Sequence, residues 1–207
     1  MEKLTDYTGA QFTAIQNIYN YYNANMFSGM LNNCVLNFSR KSKAYGFFAP
    51  ERWGTIEASD TVHEISLNPE YLKRPPVEVI STLVHEMVHL WQQDHDTPAK
   101  GYHCKRFAKK MKAIGLYPSS TGQEGGKETG KNMSHYIMEG GQFITLWDAM
   151  PKEFLYPLVC VSEGGSKAKK AGKNKTKYSC PSCASNIWGK EGLHVHCDDC
   201  DEVYLRA

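Results

Sequence analysis

Residues 85–89 read HEMVH, two histidines four apart with a glutamate directly after the first. Positions i and i+4 lie one turn apart on a helix, so both imidazoles can face one ion. The carboxylate between them, rotated by about 100°, can face whatever that ion binds. Zinc suits such a set, because it takes nitrogen ligands in tetrahedral geometry and a catalytic site leaves the fourth position to water. Glu86 is then the expected catalytic base, taking the proton of a water whose pKa the ion draws toward neutrality. A third protein ligand is required. Two histidines downstream, His95 and His103, compete for the role.

His95 stands six residues after His89, the register of the pattern HExxHxxGxxH. That pattern uses a glycine three residues after the second histidine to break the helix and fold the third ligand back. Gln92, a good helix former, holds the position here, and the next glycine is Gly101, just before His103. The chain can turn there and launch a second helix with His103 at its first position. His85, His89 and His103 are therefore the expected ligands of a catalytic zinc, and His95 is read as a solvent-facing loop histidine.

A second constellation lies near the carboxyl terminus. CPSC, thirteen intervening residues and CDDC place Cys180, Cys183, Cys197 and Cys200 in two tight knuckles, the spacing of a four-thiolate structural zinc site. The expected complement is two Zn²⁺ per chain, one catalytic and one structural. A ribbon of this size has almost no core, so its folding and metal binding should be one event. Cys34, Cys104 and Cys160 are scattered and odd in number, which argues against a disulfide framework and for a reducing compartment.

These groups must be positioned by helices and strands. Phe12, Ile15, Ile18 or Tyr19, and Tyr22 recur at three- and four-residue steps in residues 9–28, predicting an amphipathic helix against the core. Three short β-prone runs, CVLNFS, AYGFFA and HEISLN, follow between turn-like segments and predict a small antiparallel sheet. Pro75 and Pro76 open VEVISTLVHEMVHLWQQ, since proline is tolerated in a first helical turn. On that helix Val77, Ile80, Val84, Met87, Val88 and Trp91 share one apolar arc, with Glu86 and His89 off it. Residues 103–114 predict a second helix ended by Gly115, with Phe107, Met111 and Ile114 inward. Residues 118–142 are rich in glycine and serine, and QFITLW reads as a strand. Within the glycine-rich stretch, GGKETGKN imitates a phosphate loop, but Asn132 replaces the hydroxyl that would hold magnesium, so no nucleotide cofactor is expected. His135 or Tyr136 could donate to an oxyanion.

The net charge of +2 conceals an asymmetry. Residues 1–162 hold 16 basic and 16 acidic residues, residues 163–177 six lysines against one glutamate, and residues 178–207 two basic against five acidic. Phosphate attraction needs charge more than shape, so the DNA contacts are expected from Lys167, Lys169, Lys170, Lys173, Lys175 and Lys177. Lys105 and Lys109, on the outer face after His103, are expected to add to them. The amino-terminal stretch lacks an apolar run of signal-peptide length and no membrane span is legible, which predicts a cytoplasmic or nucleoid-associated protein.

STLVHEMVHLWQQ followed by HCKRFAKKM resembles the SprT-like metallopeptidases, in which HExxH is followed by a third histidine opening a helix, commonly within HGPEF. His103 and Phe107 match the ends of that string, while Cys104, Lys105 and Arg106 replace its middle. The likeness runs over roughly residues 10–115 and 178–205, and residues 118–142 have no clear counterpart in the eukaryotic members. It implies an α+β, zincin-like metallopeptidase domain over residues 1–162. A lysine-rich linker over 163–177 and a zinc ribbon over 178–207 complete the expected chain. It also implies protein substrates, since the family includes the Spartan proteases, which cut proteins covalently trapped on DNA. The rival from another class is a non-proteolytic, zinc-binding adaptor associated with nucleic acid.

Overall fold

A computed structural model describes residues 6–57, 60–97, 101–161 and 175–207. The chain forms two compact units, Met1–Glu163 and Gly164–Ala207.

In the first unit, helix α1 (Tyr7–Met26) is opened by Asp6, whose carboxylate accepts from the Gly9 amide at 2.8 Å. It buries Ile15, Ile18, Tyr19 and Tyr22, while Phe12 is exposed and meets Phe38 edge-on. Strands β1 (Val35–Phe38), β2 (Gly46–Gly54) and β3 (Thr61–Leu67) form a sheet in the order β1-β3-β2. β2 runs antiparallel to β3, but β1 runs parallel to it. The sheet is thus mixed where the sequence suggested an antiparallel one, because β2 enters between β1 and β3 in sequence and takes the opposite edge. Gly46 lets the sheet come close to the next helix: a Cβ there would lie 3.0 Å from the Ser66 carbonyl oxygen and 3.1 Å from Thr82 Cγ2.

Helix α2 (Pro76–His95) begins with proline at its first position, as expected, and carries the histidine pair. Its apolar arc packs on α1, and Val79, Ile80, Leu83, Val84, Met87, Val88 and Leu90 are all buried. His85 and Glu86 are buried too, although they lie off that arc, because β2 packs against the helix's other side and His135 of a later hairpin meets His85. Helix α3 (Lys105–Ala113) buries Phe107 and Met111 and stops at Gly115, whose φ of 85° suits glycine. A Cβ there would sit 2.7 Å from the Gln142 amide nitrogen, so this glycine also admits the following helix.

Strands β4 (Leu116–Ser119) and β5 (Ser134–Ile137) then pair antiparallel across the glycine-rich stretch. QFITLW lies in helix α4 (Gln142–Ala149), not in a strand. Phe143 is fully buried there and stacks on Tyr22 at 5.5 Å between centroids, so tertiary contact outweighs the β preference of its residues. No helix among the described residues is long and apolar enough to cross a membrane.

The second unit has β6 (Thr176–Ser179), β7 (Asn186–Gly189), β8 (His196–Cys197), β9 (Glu202–Val203) and β10 (Leu205–Arg206). They form a three-stranded sheet, β10-β6-β7, and a small β8-β9 ladder. Among its described residues only Tyr178, Cys180 and Cys197 are buried.

Candidate metal centres

The rings of His85, His89 and His103 converge. His103 Nε2 lies 3.1 Å from His85 Nε2 and 3.0 Å from His89 Nε2. A tetrahedral ion about 2.0–2.1 Å from each nitrogen would set them roughly 3.3–3.4 Å apart. The three rings thus fit one small cation with little adjustment. Burial pushes the pKa of all three downward, most of all at His85, where His135 and the other two rings add to the effect, so each offers a neutral lone pair. Phe107, itself fully buried, floors the cluster, with its ring 4.3 Å from that of His89 and 4.7 Å from that of His103. Truncating a phenylalanine packed this way costs about 3–5 kcal/mol, so the floor serves fold and site together.

His103 is placed differently from the expectation. It sits two residues before α3, in a β-bridge with Gly130: His103 N–H donates to the Gly130 carbonyl at 2.9 Å and receives the Gly130 amide at 3.1 Å. Its ring Nδ1 makes a further 3.1 Å hydrogen bond to the same carbonyl, leaving Nε2 for the cluster. Gln92, which replaces the helix-breaking glycine, is buried and donates from Nε2 to Cys104 Sγ at 3.1 Å. The helix therefore continues through Gln92 and uses it to tie α2 to the residue beside His103. His95, the last residue of α2, is exposed, and its Nε2 bonds the Met30 carbonyl at 2.8 Å, apart from the cluster.

Glu86 is buried, and burial pushes its pKa up to about 8, opposed by the Phe48 backbone and by Lys41. It shares a cavity of about 990 Å³ with the three histidines, Phe48 and His135. His135, foreseen as a possible oxyanion donor, instead stands against His85: their Nδ1 atoms are 3.1 Å apart, and His135 Nε2 meets Ser81 Oγ at 2.9 Å. Burial and the charge of Arg74 hold its pKa down to about 4. Tyr136 stacks on Tyr117. The sequence carried no local signal for the roles of Gly130 and His135.

Residues 15–124 match the sequence model of the SprT-like family, just over half of the chain. The chain belongs to the SprT-like family. No curated protein matches it. The SprT-like match takes in His85, Glu86, His89 and His103 and ends before Gly130 and His135.

In the second unit Cys180, Cys183, Cys197 and Cys200 bring their sulfur atoms within 4.8 Å of one another. Each knuckle is followed by a left-handed residue, Ala184 and Asp201, both at φ 55°, so the two turns are alike. Hydrogen bonds from Ser185 pull the Cys183 thiol down to about 6, and Cys183 in turn pushes Cys200 up. Four thiols this close suit a closed thiolate set. His194 and His196 do not join it. Lys105 and Lys109 are exposed on α3, Lys175 is exposed just before β6 and Lys177 is exposed within it. Lys167, Lys169, Lys170 and Lys173 lie outside the described residues.

Proposed function

We propose that this SprT-like protein is a zinc-dependent endopeptidase that cleaves proteins on or crosslinked to DNA. The observation that carries the reading is a buried carboxylate, Glu86, opening with three convergent imidazoles into one cavity. A site that only held the fold together would have no use for that carboxylate, which argues against the adaptor reading.

A bound zinc ion would supply Lewis acidity to the attacking water and the scissile carbonyl. Glu86 takes a proton from the water and returns it to the departing amine. Burial favours its neutral form, while the Phe48 backbone and Lys41 favour the carboxylate, which places the group between proton acceptor and donor. β2 forms one edge of its sheet and borders the cavity, so an extended peptide can pair along it and present a backbone carbonyl to the site. Exposed Lys41, Lys43 and Lys131 rim the same cavity from two loops, so a segment lying close to DNA phosphate meets positive charge there. Mass spectrometry of candidate protein substrates incubated with the parent and with Glu86→Gln, with and without DNA, should find new peptide ends with the parent alone.

The four-cysteine set holds the second, structural zinc in this reading. Elemental analysis should give about two zinc ions per chain. Cys197→Ser should remove one ion and unfold only the small unit, whose core is little more than Tyr178 and two of the cysteines. Loss of both ions would contradict two independent sites.

The six lysines of residues 163–177 attract the phosphate backbone. DNA binding should fall with salt at a log–log slope of roughly −0.7 to −0.9 per phosphate contact. Replacing Lys167, Lys169, Lys170, Lys173, Lys175 and Lys177 by serine should flatten that slope and weaken all sequences alike, because phosphate contacts carry little base information. An unchanged slope would leave Lys105 and Lys109 on α3, together with the lysines at the cavity rim, as the DNA-facing residues.

A further inference from the structure

The β4–β5 hairpin reaches two of the three histidines of the cluster from beyond the stretch that matches the family. Gly130 accepts from His103, and His135 meets His85, across 27 and 50 residues of chain. If His85 Nε2 gives its lone pair to a metal, the ring's proton must sit on Nδ1. Every later hydrogen bond then has one direction. His85 Nδ1–H donates to His135 Nδ1 at 3.1 Å, which leaves the proton of neutral His135 on Nε2. That Nε2–H donates to Ser81 Oγ at 2.9 Å, and the Ser81 hydroxyl donates to the Glu78 carbonyl at 2.9 Å, one turn back along α2. The relay starts and ends on the helix that carries the ligand, with one ring inserted from β5. The two rings lie nearly parallel, at 27° and 5.1 Å between centroids, so the contact fixes ring plane as well as tautomer.

We propose that His135 is a positioning residue for the metal site, holding His85 in the tautomer and ring plane that present Nε2 to the ion, with Ser81 orienting His135 in turn. The inference rests on the three-histidine reading of the site. It adds that part of the site's metal affinity is set by a strand outside the family-matched span. Ring nitrogens of metal-bound histidines need such an acceptor, and removing one costs about 10–100-fold in affinity.

The test is chelator competition for Zn²⁺ on the full chain, with release from the four-cysteine site as an internal reference, and the visible spectrum of the Co²⁺-substituted protein. His135→Phe keeps a ring of similar size without the acceptor. It should weaken zinc at the histidine site about 10–100-fold and shift the cobalt bands, while the cysteine site is unchanged. His135→Gln, whose amide oxygen can accept, should recover much of the loss. Ser81→Ala should loosen zinc measurably but less than His135→Phe, since His135 keeps its contact with His85 but loses its anchor. A folded His135→Phe protein with parental affinity and spectrum overturns the proposal. If that variant does not fold, parental zinc affinity in Ser81→Ala overturns it instead. Should the parent itself hold no metal on the three histidines, the proposed function fails first, an outcome separate from a parent and variant that bind equally well.

Discussion

Glu86→Gln should leave the protein folded and both metals bound, yet reduce peptide cleavage by about 10²–10⁴-fold, the usual contribution of a positioned general base. The amide is nearly isosteric with the carboxyl and cannot accept the water's proton. Fold is expected to survive because the glutamate is held mainly by burial: the helix around it is anchored by Val84, Met87, Val88 and Leu90, all fully buried. The amide also carries no charge, so the burial that pushes the carboxyl's pKa up to about 8 has no ionised form to penalise in the variant. Steady-state cleavage of an unfolded protein, run beside zinc analysis and thermal unfolding, separates the outcomes. Cleavage at the parental rate with zinc retained would assign the base to another residue.

The second large effect is expected at His103. His103→Ala removes one of three convergent nitrogens and should weaken metal at this site by at least about tenfold, abolishing cleavage with it. His95→Ala should leave metal and cleavage unchanged, because His95 is exposed and bonded to the Met30 carbonyl. Isothermal titration with zinc after chelation distinguishes the two. The reverse pattern, metal lost with His95 and kept without His103, would require α2 to break near Gln92, which is buried and bonded to Cys104.

What could be read in advance was whatever leaves a trace at short sequence separation. The histidine pair is a matter of one helical turn, the cysteine knuckles of two residues each, and α2 of a three-to-four-residue apolar rhythm after two prolines. His103 was legible by a negative sign, the glutamine standing where the rival ligand needed a glycine. Its placement was not, because the bridge to Gly130 spans 27 residues, and no periodicity announces such a partner. His135 is still more remote, 50 residues from the ring that it contacts. The burial of Glu86 is hidden from the sequence for a related reason. The helix pattern marks one apolar arc, but the second cover comes from β2 and from His135 of β5. The direction of β1 depends on how the chain crosses between strands, which the residues of the strand do not encode. QFITLW failed as a strand because short apolar runs suit either structure. The contact of Phe143 with Tyr22 decided it.

Crystals of the zinc-loaded protein, with diffraction recorded on both sides of the zinc absorption edge, would locate every ion directly. One anomalous peak is expected, bonded by Nε2 of His85, His89 and His103, with the Glu86 carboxylate facing its open side, and another among the four cysteine sulfurs. A peak bonded to His95 or Cys104, or none beside His85 and His89, would contradict the three-histidine site.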